Sequence, residues 1–307
     1  MVTQNASAMN FTNSAVQLSR KFCERFQDAE FFTANFVSTL VFIILNVISC
    51  PAVIVMNVLV IVVVKKRRSL QSMYNILLAC LAITDLIVGT VTQPTFIAAE
   101  ILAISNGSVA TYCTIKDITP VLSNITILVS LLHLVLISGE RYMAMKYALR
   151  YHDIVTKHRL VIAVVLSWLL VGFVSLIREL KFILPYLVIF SLLIIMYCHV
   201  TVYFITRRHQ KQIKTEQISG EAAAKFLEEK KAWKTTGIII GFLFLSFLPG
   251  VIYMLVRNRL GNHISNIVNN LFFFSVLLNS FCNPIIYCWR SKEIRKATIA
   301  LVRAVFN

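Results

Sequence analysis

Asp85 needs a chemical reason to be where it is. It closes the segment Leu81-Ala82-Ile83-Thr84-Asp85 inside a long apolar run. A carboxylate at the centre of a membrane helix costs about 2.5–3.5 kcal/mol on insertion scales. The other polar side chains at similar depth in their own apolar runs are Asn57, Ser130, His133, Asn279, Ser280 and Asn283. As interhelical hydrogen bonds such groups contribute about 0.6–2 kcal/mol each, and that role suffices for Asn57. It does not suffice for Asp85, because amides and hydroxyls do not neutralise a charge. Either the acid is protonated or a cation lies beside it. Nothing in the loops resembles a metal-ligand set, a nucleophile–base pair or a phosphate loop, so the chain does not read as an enzyme.

The elements that carry these residues follow from composition. Of 307 residues, 58% are hydrophobic and 14% charged, against about 45–50% and 25% in soluble domains. That balance excludes an ordinary soluble enzyme and a disordered chain. Runs of about 20 apolar residues span a bilayer as helices. Seven occur, over 36–64, 72–99, 117–145, 160–177, 182–206, 233–256 and 264–288. Only Arg178, Glu179 and Lys181 interrupt the fourth and fifth, which predicts a tight hairpin. The expected fold is an all-α membrane protein, a seven-helix bundle with a short amphipathic eighth helix.

The net charge is +16, but the basic residues sit in clusters between apolar runs, so the excess is a topology signal and not a nucleic-acid surface. Four clusters hold most of the 30 Lys and Arg: Lys65 to Arg68; Arg141 to Arg159; Arg207 to Lys234; and Arg290 to Arg303. All four fall on one side of a seven-span topology. That side is expected to be cytoplasmic, with the N-terminus outside and the first run acting as the insertion signal. The expected organisation is an extracellular segment 1–35, the bundle 36–288, and a cytoplasmic helix and terminus 289–307. Asn5, Asn10 and Asn106 head glycosylation tripeptides on the outer side. Residues 290–306 place Ile294, Ala297, Leu301 and Val305 on one face and Lys292, Arg295, Lys296 and Arg303 toward the other, the pattern of a helix lying on membrane lipids.

Asn57, Leu81 to Asp85, Glu140-Arg141-Tyr142, Trp168, Tyr197, Pro249 and Asn283-Pro284-Ile285-Ile286-Tyr287 fall in order on runs one to seven. In that order they resemble the span signatures of rhodopsin-like G-protein-coupled receptors. Within that family, Tyr147 to His152, Val155-Thr156, the very short fourth-to-fifth connection, Ile189 and the ending Arg290 to Lys296 are most similar to melanocortin and adenosine receptors.

The resemblance implies a switch at the plasma membrane that transmits an extracellular ligand to a heterotrimeric G protein by outward movement of the sixth helix. An arrestin-like protein is a second partner it implies. Arg141 would reach across to Glu229 and hold the sixth helix closed, with Glu140 sharing its charge; Glu229 reads equally as a solvated member of Glu228-Glu229-Lys230-Lys231. Tyr142 completes the Glu140-Arg141-Tyr142 motif. Tyr197 and Tyr287 match tyrosines that swing inward on activation, and Pro249 and Pro284 supply hinges. Asp85, Ser130, Asn279, Ser280 and Asn283 match the family's sodium pocket, so an allosteric Na⁺ is expected and no covalent cofactor.

Departures from the family pattern bear on the ligand. Phe247 stands at the usual tryptophan and Ser246 at the cysteine before it. Ser123 replaces the aspartate of amine receptors, and no lysine occurs between Asn262 and Trp289 to form a retinal Schiff base. A pocket near Ser123, Phe247, Val251 and Leu277 is expected to be apolar and to suit a lipid-like or small hydrophobic agonist. Cys113 resembles the family's disulfide cysteine, with Pro120 beyond it near the expected helix start. Its usual loop partner is absent, and Cys23 is the remaining outer cysteine. A Cys23–Cys113 bridge is the expectation. Two other readings remain open from sequence: a seven-span transporter or channel using the Asp85 cluster for permeation, and a receptor-like partner protein with no ligand of its own.

Overall fold

The computed structural model describes residues 29–105, 108–177, 183–215, 227, 230, 233–242, 244–246 and 262–306. Asn5, Asn10, Cys23, Asn106, Glu229, Phe247, Val251 and Pro249 lie outside them. The described regular structure is helical throughout. In chain order the helices are α1 (Ala29–Lys66), α2 (Met73–Ile87), α3 (Gln93–Ile104), α4 (Val109–Lys146), the single turn α5 (Tyr151–Ile154), α6 (Lys157–Leu176), α7 (Leu184–Thr215), the apolar helix α8 (Trp233–Ser246), α9 (Asn262–Arg290) and α10 (Lys292–Phe306). Among the described residues, five stretches are long and apolar enough to cross a membrane: Phe36–Lys66, Met73–Leu102, Ala110–Lys146, Lys157–Leu176 and Tyr186–His209. Their outward faces carry exposed Val37, Ile48, Leu169, Phe173, Phe190, Leu193 and Phe204, a surface that suits hydrocarbon and not water.

Helix ends follow local chemistry. Ser72 caps α2 by accepting from the Asn75 amide at 3.3 Å, and Thr156 caps α6 from the Arg159 amide at 3.4 Å. Ser291 caps α10 from Ile294. The second apolar run is not one regular helix, because a π-helical turn, Val88–Thr92, joins α2 to α3. Pro94 follows directly, and its ring cannot fit an unbroken α-helix, so the widened turn absorbs it. Gly89 lies in that turn against α1, where an added Cβ would come within 3.0 Å of Val53 and Ile54 side-chain carbons. Only glycine permits so close an approach of the two backbones, and Cys50 Sγ donates to the Gly89 carbonyl across it at 3.0 Å.

Helix limits differ from the apolar runs. α1 starts at Ala29, seven residues before the run at 36, and α4 starts at Val109 instead of 117. Hydropathy detects only the part that needs lipid, whereas these helices continue in polar turns; Lys116 Nζ, for example, donates to the Tyr112 hydroxyl one turn away at 2.6 Å. Pro120 therefore sits inside α4, not near its start as expected.

α4 runs through the middle of the bundle, packing on α2, α3, α6 and α7, while α1 packs on α2 and α9. The main core joins Val60 and Val63 of α1, Leu77 and Leu81 of α2, Leu131 and Leu134 of α4, Ile195 of α7, Ile239 of α8 and Tyr287 of α9. α10 folds back onto this end, burying Ile294 and Ala297 and leaving Lys292, Arg295 and Lys296 exposed.

Candidate functional site

Two polar clusters are built into this scaffold, one at mid-membrane and one at the basic end. The first begins with a proline. Pro284 in α9 has no amide hydrogen to give the carbonyl four residues back, which belongs to Ser280. A buried carbonyl needs a donor, and Asn57 of α1 supplies one: its Nδ2 donates to the Ser280 oxygen at 3.0 Å and to the Val53 oxygen at 2.9 Å. This fixes α9 against α1 and aims the next side chains at α2. Ser280 Oγ donates to Asp85 Oδ1 at 2.7 Å, and Asn283 Nδ2 donates to Oδ2 at 2.9 Å.

Asp85 is buried, 1% exposed, and both its described partners are neutral. It lines a cavity of about 30 Å³ with Ser130, Asn279, Ser280 and Asn283, and with Leu81, Val88, Leu134, Ile239 and Leu277. That volume admits an occupant of water size, since about 10–15 Å³ is the minimum for one. Asn279 Oδ1 accepts from Ser246 Oγ of α8 at 3.2 Å, while its Nδ2 is buried without a partner. One carboxylate among hydroxyls and amide oxygens, in a cavity of this size, is a donor set that fits a hard monovalent cation and lacks the nitrogen and sulfur ligands of a transition-metal centre. His133 turns elsewhere: its Nδ1 lies 3.1 Å from Thr84 Oγ1 and its ring meets Trp168 edge-on at 6.5 Å.

The second cluster sits at the basic end of α4. Arg141, 5% exposed, is held by Glu140 through Nε and Nη2, both at 2.5 Å. This bidentate contact is the one ion pair among the described residues. The Tyr151 hydroxyl of α5 also donates to Glu140. The Tyr74 ring of α2 lies 4.5 Å below the guanidinium, a cation–π contact. Thr236 of α8 donates to the Tyr74 hydroxyl at 3.3 Å, so α8 is tied to Arg141 through one aromatic ring. Tyr142 lies 6.2 Å from Tyr197, which is exposed on the flank of α7. Tyr287 is buried beside this end with an unpartnered hydroxyl.

The remaining expected residues separate. Leu277 lines the Asp85 cavity, and Ser123 is buried on α4 but is not part of that lining. Cys113 is disulfide-bonded, and Cys50, Cys80, Cys198, Cys282 and Cys288 are free thiols. Sequence reasoning missed Tyr74, Tyr151 and Thr236. Tyr151 stands in a segment singled out for resemblance only, and a tyrosine or threonine at the end of an apolar run carries no signal that separates a latch from packing.

A family model described as 7 transmembrane receptor (rhodopsin family) matches residues 56–182 and 179–287. The match covers both clusters and the helices that build them. The chain therefore belongs to the rhodopsin family of seven-transmembrane receptors.

Proposed function

We propose that the protein is a plasma-membrane receptor, N-terminus outside, that passes an extracellular ligand signal to a heterotrimeric G protein by outward movement of α8. The observation that carries this reading is the buried Arg141. Its charge is satisfied by Glu140, and its ring partner Tyr74 is bonded to α8. Moving α8 outward breaks the Thr236–Tyr74 bond and frees the guanidinium to face the opened end. Tyr287, with a buried unpartnered hydroxyl, gains a partner in such a rearrangement. Glu229, four residues before α8 in sequence, is a second latch in this scheme, and an arrestin-like protein is a competing partner for the open end.

Na⁺ fits the mid-membrane cavity. Asp85 would supply the charge, with Ser130, Asn279, Ser280 and Asn283 completing the shell. A cation there stabilises whichever packing holds α2, α4 and α9 together, which in this reading is the closed one. Agonists are taken to be small and apolar, acting above Leu277 near Ser123, Phe247 and Val251. Cys113 is disulfide-bonded, and this reading keeps the Cys23–Cys113 bridge expected from the sequence. The likeness to melanocortin and adenosine receptors rests on sequence alone, on Tyr147 to His152, Val155-Thr156, the short fourth-to-fifth connection, Ile189 and the ending Arg290 to Lys296. Family membership does not favour a transporter or channel.

The test is unliganded nucleotide exchange on G-protein heterotrimers in membranes carrying the native chain, Arg141→Ala or Glu229→Ala. Exchange lost with Arg141→Ala and raised with Glu229→Ala is the expected result. Silence of all three at the cell surface across G-protein subtypes would favour the ligand-less partner protein.

A further inference from the structure

A crevice of about 440 Å³ separates α7 from α8 at the basic end of the bundle, and neither cluster described above uses it. Tyr203, Thr206 and Arg207 line one wall, and Trp233, Lys234 and Gly237 the other. On α8 the bundle side is taken by Thr236, Ile239 and Ile240, and on α7 by Cys198 and Val202, all buried. At 100° per residue, the crevice residues lie round the flank of each helix. The crevice opens sideways, toward the face where Tyr203 and Phe204 are exposed.

Its lip is cationic and its floor aromatic. Arg207 donates Nε to the Tyr203 hydroxyl at 3.1 Å, with its guanidinium 5.3 Å from that ring. Lys234 is exposed and makes no ion pair among the described residues. Below them Trp233 stacks on His199 at 6.1 Å and lies 6.3 Å from Tyr203. Two polar atoms of residues that line the crevice, Thr206 Oγ1 and Trp233 Nε1, are buried without hydrogen-bond partners, as is Nε2 of His199 against the tryptophan. Buried donors left unpaired are costly, so the hydroxyl and the indole N–H in this crevice point to an occupant that offers acceptors. Gly237 keeps the space open, since a Cβ there would meet only the His199 ring, at 3.8 Å.

Two cations, buried donors and an apolar flank at the level where helices leave the membrane match an anionic lipid headgroup. Tyr203 and Phe204 on this side are exposed and belong to the apolar stretch Tyr186–His209, a flank for acyl chains more than for a protein docking along the membrane normal. We infer that the α7–α8 crevice binds the headgroup of an anionic phospholipid, its phosphate between Arg207 and Lys234 and its acyl chains along the Tyr203–Phe204 flank. The leaflet is the inner one if the orientation proposed above holds.

The test uses the full-length chain in mixed micelles, with bound lipid counted by native mass spectrometry for phosphatidylserine and phosphatidylcholine. Arg207→Ala and Lys234→Ala should each weaken phosphatidylserine binding about fivefold and leave phosphatidylcholine unchanged. Gly237→Leu, which keeps both charges and fills the crevice, should weaken it too. Lys292→Ala/Lys296→Ala on α10 is the comparison for general surface charge. The inference is overturned if the crevice variants bind phosphatidylserine like the native chain, or if the α10 variant loses as much. It is also overturned if inorganic phosphate competes as well as the lipid, which marks a free-anion site. Crevice variants that lose G-protein engagement while lipid binding persists would assign the crevice to a protein. Micelles expose both ends of the bundle, so a reversed orientation fails the nucleotide-exchange test without altering this one.

Discussion

Asp85 and Arg141 are both ionisable groups buried to within a few per cent, yet their surroundings differ in kind. Arg141 has a full counter-charge, delivered bidentate by its sequence neighbour, with an aromatic ring beneath it. Asp85 has a hydroxyl and an amide as described partners and a cavity beside it. A charge balanced by fixed groups makes a latch that only a movement of helices releases. A charge balanced by neutral dipoles leaves room for a mobile counterion, so its strength depends on the solution. In the proposed reading the basic end opens or shuts, and the membrane centre is tuned.

The sharpest way to break this contrast is Glu140→Ala, which removes the described counter-charge of the guanidinium. Removing one partner of a buried pair costs about 3–5 kcal/mol, so thermal unfolding in detergent should show the largest loss of the series. A small loss would mean that Arg141 relaxes to water and is no latch. Gly89→Val comes next, because its side chain has no space between α1 and α2. Overpacking of about 1–3 kcal/mol should lower the melting temperature, and the added bulk behind Asp85 should weaken any sodium effect on stability.

Asn57→Ala leaves the Ser280 carbonyl without its donor, and a cost of about 1–3 kcal/mol is expected. Unfolding of Asn57→Ala beside Asn57→Asp would separate loss of the bond from loss of volume. The smallest effect belongs to Asp85→Asn without sodium, since no described ion pair is broken. With sodium the two proteins should part. At ten times its dissociation constant the ion stabilises the native chain by about 1.4 kcal/mol, and Asp85→Asn should show none of it. Equal melting shifts in sodium and choline chloride for the native chain would remove the ion from the account.

What was legible in the sequence follows the same division. Asp85 stood out because a lone carboxylate in an apolar run conflicts with its surroundings, and Asn57 was readable as a hydrogen bond between helices. That Asn57 serves the carbonyl freed by Pro284 was not readable, since it depends on two helices 223 residues apart meeting at one level. Glu140 and Arg141 are adjacent and were legible as a pair. Tyr74 and Tyr151 were not, because an aromatic side chain at a helix end reads equally as packing. Leu277, expected at the outer pocket, lines the Asp85 cavity, a neighbourhood that depends on how helices meet and not on the residue's own type. The described free thiols, all on helices, are partly or fully buried and fill space as small apolar groups.

The most direct test of the latch is unliganded nucleotide exchange with Glu140→Gln beside the native chain at matched surface expression. Glutamine keeps the shape and removes the counter-charge. The account predicts a rise in exchange over the native chain, because the closed packing of Arg141 loses its partner. Exchange that stays level or falls would contradict it, and Glu140 would then be a support for the fold and not the element that holds the receptor shut.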